Sequence, residues 1–150
     1  MKNALISIKP EYVKKILSGS KTIEIRNRTV NLAPGSRLWI YSTLPKGCIE
    51  AVAVIKDIKF GSPSEIWNQY HKQIDVSESV FHSYVKGSKI VSAIFLQDVI
   101  GIGSKLTLNY IRSEIKEFHP PQFLKYIHPG NPLLCILENN ARGIKTSQVS

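Results

Sequence analysis

Residues 19–26 read GSKTIEIR, a turn that runs into a strand with opposite charges along one side. Successive side chains of a β-strand point to opposite faces, so the two isoleucines share one face and the polar residues share the other. The polar face carries Thr22, Glu24 and Arg26, and Lys21 precedes it at the start of the strand. Two interpretations follow from this pattern alone. The charges either keep an exposed strand soluble or form one wall of a binding site.

The flanking segments predict a sheet around this strand. Upstream, the apolar run at residues 4–8 has strand length, and Pro10 and Gly19 are typical of the first turn and the left-handed end of a helix. Downstream, turn residues at 33–36 and 44–47 separate strands predicted at 37–42 and 48–58. This spacing predicts an antiparallel, partly closed sheet.

The second half of the chain alternates helical and extended patterns. Residues 62–65 read SPSE, which predicts a capping box at the start of a helix. Asp75, with Glu78 three residues later, predicts the start of a second short helix. Further segments are predicted as a strand at 90–102, a helix at 107–115, a proline-initiated helical turn at 120–127 and a helix over 133–137.

Length and composition predict one domain. The chain has 150 residues, of which 43% are hydrophobic and 21% charged, enough for one core and short for two. We expect the domain to span residues 1–138, with a polar, flexible tail at 139–150. Cys48 and Cys135 suggest buried thiols in a reducing cytoplasm, where we expect the protein to act. No apolar stretch reaches the roughly 20 residues of a membrane span, so no membrane partner is expected.

Positive charge is concentrated in the first third of the sequence. The net charge is +9, and residues 1–46 hold nine of the 20 basic residues but only two of the 11 acidic ones. Such an asymmetric field attracts polyanions and speeds encounters with them. RNA or a nucleotide is therefore the first partner to expect, and a merely soluble basic surface is the alternative.

Four motifs together indicate a family. The chain carries SxKPxYxxxIxxGxKTxExR over residues 7–26, PGxxLxIYxTxPxG over 34–47, PxEIW over 63–67 and PPQFLKYI over 120–127. In this order they resemble ASCH-domain proteins of the PUA-like superfold, and the resemblance extends over residues 4–127. It implies an α+β, mainly β fold: a mixed β-barrel with short helices packed across its ends.

The resemblance also implies a cleft bounded by the first helix and the KTIEIR strand. By matching positions, Lys21, Glu24 and Arg26 would line this cleft, while Tyr41 would follow from the second motif. The full set of ligand-binding residues predicted in this way is Lys9, Lys21, Thr22, Glu24, Arg26, Tyr41, Ser42 and Lys46. Tyr41, Tyr84 or Trp67 could stack an unpaired base.

Three functions remain open from the sequence. ASCH-domain proteins are associated with RNA binding and regulatory roles, and some bacterial members are ribonucleases or amidases that deacylate N4-acylated cytidine. The binding hypothesis, which we favour, has RNA, a nucleotide or a modified nucleoside as ligand. If the chain is an enzyme, Glu24 is the candidate general base and Lys21 the group that stabilises developing negative charge. A regulatory module whose basic face binds an acidic protein is the third possibility.

One departure argues against the amidase alternative. Those amidases carry threonine where Glu24 stands, and they use a later glutamate that no motif identifies here; Glu50, Glu65 and Glu78 are the candidates. The four histidines are scattered without metal-ligand spacing, and no glycine-rich phosphate loop is present. The sequence therefore predicts neither a metal nor a cofactor.

Overall fold

A computed structural model shows a six-stranded sheet that curls into a half-barrel and is covered by five helices. It describes the backbone of residues 2–149 and the side chains of residues 2–141. The elements follow one another as β1 (Asn3–Ile8), α1 (Pro10–Ser18), β2 (Ile23–Arg26), β3 (Arg37–Ser42), β4 (Cys48–Gly61), α2 (Pro63–Ile74), α3 (Glu78–Val85), β5 (Val91–Thr107), α4 (Leu108–Glu114), β6 (Leu124–Ile127) and α5 (Pro132–Val149). The expected mixed α+β architecture is thereby confirmed.

The sheet is mixed rather than wholly antiparallel. Its strand order is β2-β5-β4-β3-β1-β6, in which β1 and β3 pair in parallel and the other pairs are antiparallel. Strands β4 and β5 are long and carry three register shifts where they pair. Because bulges bend a strand and increase its twist, these shifts help the sheet to curl. The curl allows side chains of β2, at one edge, to reach β1.

Three apolar clusters hold the layers together. The first fills the concave side of the sheet, where Val13 and Ile16 of α1 pack against the strands. The second lies beneath α4 and α5 and contains Trp39 and Tyr41. The third lies beneath α2 and α3 and contains the apolar face of β2. Alternation along β2 therefore turns its charged face towards the concave side.

The helix signals at α1 and α2 are confirmed. Proline occupies the first turn of α1, and Gly19 ends it with φ of 88°. Ser62 and Glu65 form the capping box of α2, with the Ser62 hydroxyl accepting the Glu65 amide hydrogen at 3.2 Å. In α2, the side-chain oxygens of Ser62 and Glu65 accept hydrogen bonds from backbone amides that would otherwise lack partners.

Three sequence predictions are wrong. Residues 120–127 do not begin a helix, because β6 lies there and pairs with β1. Asp75 does not cap the second helix; it ends α2 in the left-handed conformation, and Ser77 caps α3. Cys135 is exposed, whereas Cys48 is buried as expected. Helix α5 includes residues predicted as a tail, and the boundary at 138 stays a prediction.

Candidate functional site

Lys21 is buried where α1, β2 and the end of α2 meet, with only 2% of its surface exposed. Its ammonium donates to the carbonyls of Ile23 at 2.9 Å and Ile74 at 2.8 Å, and it lies 3.5 Å from Oε1 of Glu24. Burial lowers the pKa of Lys21, and the charge of Glu24 opposes that shift. Because an ammonium has three donors, this arrangement uses all of them. Lys21 thus links β2 to the negative end of α2.

Glu24 joins Lys21 to Arg26. Its Oε2 accepts a hydrogen bond from Nη2 of Arg26 at 2.6 Å, and the same nitrogen donates to the carbonyl of Ser7 at 2.9 Å. Glu24 and Arg26 are each 7% exposed. Among the described atoms, Nε of Arg26 has no hydrogen-bond partner. We call Lys21, Glu24 and Arg26 the ion cluster; it carries two positive charges and one negative charge.

Two arginines share the ring of Phe123 beside the ion cluster. The guanidinium carbon of Arg26 lies 5.3 Å from the ring centroid, and that of Arg28 lies 4.5 Å from it. Such distances are typical of cation–π contacts, in which the ring faces attract the positive charge. Phe123 is half-buried, while Arg28 is exposed. The contact therefore holds an exposed guanidinium next to a buried one.

Two tyrosines also border the ion cluster. The Tyr12 ring lies 5.7 Å from Nζ of Lys21. Tyr84 is 41% exposed, and its backbone carbonyl accepts a 3.5 Å hydrogen bond from Nδ2 of Asn27. Burial of the phenol groups raises the pKa of both tyrosines, and the charge of Glu24 contributes to each shift.

A second polar group lies around the turn that joins β3 to β4. Nζ of Lys46 lies 3.9 Å from Oε2 of Glu50, and the Cys48 thiol donates to the same oxygen at 3.4 Å. Burial raises the pKa of Cys48 to about 11, and Glu50 adds to the shift. Burial also raises the pKa of Tyr41, whereas the charge of Arg112 lowers it. We call Tyr41, Lys46, Cys48, Glu50 and Arg112 the turn cluster.

His119 lies next to the turn cluster. Its Nδ1 is 3.4 Å from Nη2 of Arg112, while Nε of Arg112 donates to the carbonyl of Phe118 at 3.0 Å. Both His119 and the end of the Lys46 side chain, which is 49% exposed, face solvent. The His119 imidazole and the Lys46 ammonium are thus accessible at this side of the sheet, and the half-buried Arg112 guanidinium lies beside the imidazole.

Ser7, in β1, connects the two groups. Its carbonyl accepts the hydrogen bond from Arg26, and Tyr41 pairs with it on the neighbouring strand β3. Its hydroxyl donates to the carbonyl of Pro121 at 2.5 Å, two residues beyond His119. The ion cluster and the turn cluster therefore flank the end of β1.

The structure brings together only some of the ligand-binding residues that the sequence predicts. Lys21, Glu24 and Arg26 converge as expected from the motif. Lys9 is exposed and precedes α1, and Thr22 is exposed just before β2.

Tyr41, Ser42 and Lys46 lie apart from those three residues. Tyr41 is only 3% exposed within the apolar cluster beneath α4 and α5, so the expected stacking of a base on its ring is wrong. Ser42 is fully buried, and its hydroxyl has no hydrogen-bond partner among the described atoms. Lys46 belongs to the turn cluster.

Sequence reasoning missed three contributors: Arg28, Arg112 and Phe123. Arg28 continues the alternation of Glu24 and Arg26, which was a usable signal. Phe123 lies in the segment that was assigned to a helix, and its contact with Arg28 depends on the pairing of β6. Nothing in the sequence around Arg112 marks it, because Tyr41, whose pKa it lowers, lies far earlier in the chain.

The other candidate groups lie elsewhere. Glu50 belongs to the turn cluster, Glu65 caps α2 and Glu78 lies 3.9 Å from His82. Cavities of about 250 and 400 Å³ lie along α5 and are lined partly by Cys135. Within the described part of the chain, no group of His, Cys, Asp and Glu side chains could hold a metal ion. No described helix is both long and apolar enough to cross a membrane.

Two comparisons with known proteins show what this chain is similar to. A family model described as a domain of unknown function, DUF365, matches residues 2–111. An "ASCH domain-containing ribonuclease" of Zymomonas mobilis is 32% identical over 126 residues, which are 84% of each chain.

Solved structures agree with that result. The crystal structure of ASCH from Zymomonas mobilis has a TM-score of 0.77 and 30% identity, covering 85% of this chain and 89% of that one. A hypothetical protein from Leishmania major has a TM-score of 0.58 at 10% identity, covering 95% of this chain and 96% of that one. The second likeness concerns the fold alone.

Proposed function

This chain belongs to the ASCH-domain family, and on that premise we propose that it binds single-stranded RNA and cleaves it. The observation that carries the proposal is the similarity to the Zymomonas mobilis ribonuclease, which extends over 84% of both chains. The accessible cations beside β1 support it, because a phosphodiester needs positive charge both to bind and to react.

We propose that the scissile phosphate lies against the turn cluster. Lys46 and Arg112 present two cations there, and His119 adds an imidazole 3.4 Å from Arg112. The ion cluster offers less for chemistry, because all three donors of Lys21 already have acceptors. On this proposal Lys21 and Glu24 position Arg26 and do not transfer protons themselves.

The cleavage step follows from the chemistry of RNA. The ribose 2′-oxygen attacks the adjacent phosphorus, and the bond from phosphorus to the 5′-oxygen of the next nucleotide breaks. His119 accepts the 2′-hydroxyl proton as the general base. Lys46 donates a proton to the departing 5′-oxygen, and Arg112 stabilises charge on the phosphate oxygens.

The test uses an unstructured RNA oligonucleotide with a fluorescent 5′ end. We expect wild-type protein to shorten it and to leave 2′,3′-cyclic phosphate ends, while an oligonucleotide with 2′-O-methyl riboses stays intact. His119→Ala should lower kcat by about 100-fold or more with little change in KM. His71→Ala is the matched control, because His71 is exposed on α2, which covers the opposite face of β2.

Two results would contradict the proposal. If wild-type protein at a concentration equal to the substrate leaves the RNA intact, the activity is absent. If His119→Ala and Lys46→Ala both cleave at the wild-type rate, the turn cluster is not the site of cleavage.

A further inference from the structure

We propose that Arg28, Phe123 and Tyr84 form a subsite for one nucleotide of single-stranded RNA, with its phosphate on Arg28 and its base on Tyr84. This inference rests on the proposed function, because it names where the RNA strand is held outside the cleavage site. We call these three residues the nucleotide subsite.

The first argument is the fixed position of Arg28. Its guanidinium is exposed, yet it lies 4.5 Å from the centre of the Phe123 ring. No described carboxylate lies within ion-pair distance of it. A guanidinium that is held on a ring loses less side-chain entropy when it binds, and its planar fork matches a phosphate. Arg28 therefore has the properties of a phosphate-binding group.

The second argument is the local charge. Lys21, Arg26 and Arg28 contribute three positive charges, and Glu24 contributes the one negative charge that contacts two of them. Two positive charges remain unbalanced over these four residues, and Arg26 and Arg28 hold theirs against the Phe123 ring. An excess of this kind attracts an anion, and the phosphate of a nucleic acid strand supplies one.

The third argument is the aromatic surface beside Arg28. Tyr84 is 41% exposed, and its backbone is tied to Asn27, the residue that precedes Arg28. Proteins that bind single strands combine a cationic track for the backbone with aromatic rings on which bases stack. A base inside a duplex is already stacked, so this arrangement fits an unpaired strand.

The fourth argument is continuity with the turn cluster. Phe123 follows Pro121 by two residues, and Pro121 accepts the hydroxyl hydrogen bond of Ser7. Ser7 in turn pairs with Tyr41 on β3. One strand of RNA can therefore lie on the nucleotide subsite and reach the turn cluster across the end of β1.

The experiment measures binding of an uncleavable 2′-O-methyl oligonucleotide by fluorescence anisotropy at 50 to 300 mM salt. We expect Arg28→Ala to weaken binding about tenfold at low salt and to reduce the slope of log K against log salt by about 0.7, the value for one phosphate contact on a single strand. Lys72→Ala, which removes an exposed cation from α2, should change neither quantity. Phe123→Leu should reproduce part of the Arg28→Ala effect.

The stacking part has its own variants. Tyr84→Leu should weaken binding roughly five- to tenfold without changing the salt slope, because stacking releases no counterions. Tyr84→Phe keeps the ring and should bind like wild type. Thermal unfolding of each variant shows whether the fold is intact.

The outcomes separate this inference from the proposed function. If wild-type protein cleaves RNA but Arg28→Ala and Tyr84→Leu bind as tightly as Lys72→Ala, the nucleotide subsite is overturned and the proposed function stands. If polyglutamate of equal charge competes as well as RNA and loses affinity equally on Arg28→Ala, the surface serves an acidic protein and the inference is also overturned. Absence of both cleavage and binding by wild type would contradict the proposed function itself.

Discussion

The buried ammonium of Lys21 contacts two backbone carbonyls and the carboxylate of Glu24. A buried ammonium normally costs free energy, and here three acceptors compensate for the lost water. The same contacts tie β2 to the end of α2. A lysine in this state holds a structure together, whereas a free lysine in the same position could act as a base.

Lys21→Ala should therefore lower the free energy of unfolding by about 3 to 5 kcal/mol, because it leaves the carbonyl of Ile74 without its donor and removes one of the two cations on buried Glu24. Lys15→Ala is the control: Lys15 also binds the end of α2, but its side chain is 41% exposed, and its loss should cost about 1 kcal/mol. Urea unfolding followed by circular dichroism measures both. Equal effects of the two substitutions would show that burial of Lys21 adds nothing.

Cys48 gives a prediction about pH. Its folded-state pKa of about 11 lies above the ordinary value of 9.0, so the folded protein binds more protons than the unfolded chain between these values. The stabilising contribution of Cys48 is complete below pH 9 and is lost as pH rises to about 11. Two units correspond to about 2 to 3 kcal/mol.

Cys48→Ala should remove that part of the pH dependence, while Cys135→Ala, at an exposed thiol, should retain it. The measurement is urea unfolding of both variants and wild type at pH 8 to 11. Parallel curves for Cys48→Ala and wild type would contradict the shift.

Among the helices and strands, the start of α2 is the feature that the sequence predicted in most detail, through its capping box. Ser62→Ala removes the acceptor of the Glu65 amide and should cost about 1 kcal/mol, or about 2 to 4 °C in Tm for a chain of this length. Ser64→Ala is the control, since its hydroxyl has only a 3.5 Å contact with Ser62. Thermal unfolding compares them, and equal Tm values for the two variants would mean that the box does not stabilise α2.

Helix ends were predictable because their signals are local. Gly19 and Ser62 form hydrogen bonds within one turn, and Pro10 fixes φ in the first turn of α1; each ends or begins a helix as the sequence indicated. Strand β6 was not predictable in the same way. It has four residues, and its conformation depends on pairing with β1, more than 100 positions earlier. A proline pair before a short apolar run fits a helix start equally well.

Grouping of the candidate site residues was predictable to the same extent. Lys21, Glu24 and Arg26 lie within six residues, so alternation along one strand was enough to group them. The link from Arg26 to Ser7, and from Ser7 to Tyr41, exists only because the sheet curls. Separation of the turn cluster from the ion cluster therefore required the structure.

For the whole molecule, the sequence overstates the charge available to a polyanion. Residues 1–46 hold nine basic residues, but five of them form ion pairs with carboxylates: Lys15, Lys21, Arg26, Arg37 and Lys46. Lys21 and Arg26 are buried as well, whereas the ammonium of Lys46 is half-exposed, lies 3.9 Å from its carboxylate and stays accessible to a phosphate. An excess of positive charge in the sequence is thus not the same as a row of free cations on the surface.

This distinction sets the expected salt dependence of RNA binding. Arg28, Lys46 and Arg112 can each contact one phosphate, and Lys9 adds at most a fourth contact. Each contact on a single strand contributes about −0.7 to the slope of log K against log salt, so the slope should be about −2 to −3. The full sequence excess of seven charges would instead give about −5 by the same rule. Anisotropy titrations of wild type from 50 to 300 mM salt distinguish the two values. A slope near −5 would mean that exposed cations outside the two clusters and the nucleotide subsite contact the strand, and a slope near zero would mean that binding uses no phosphate.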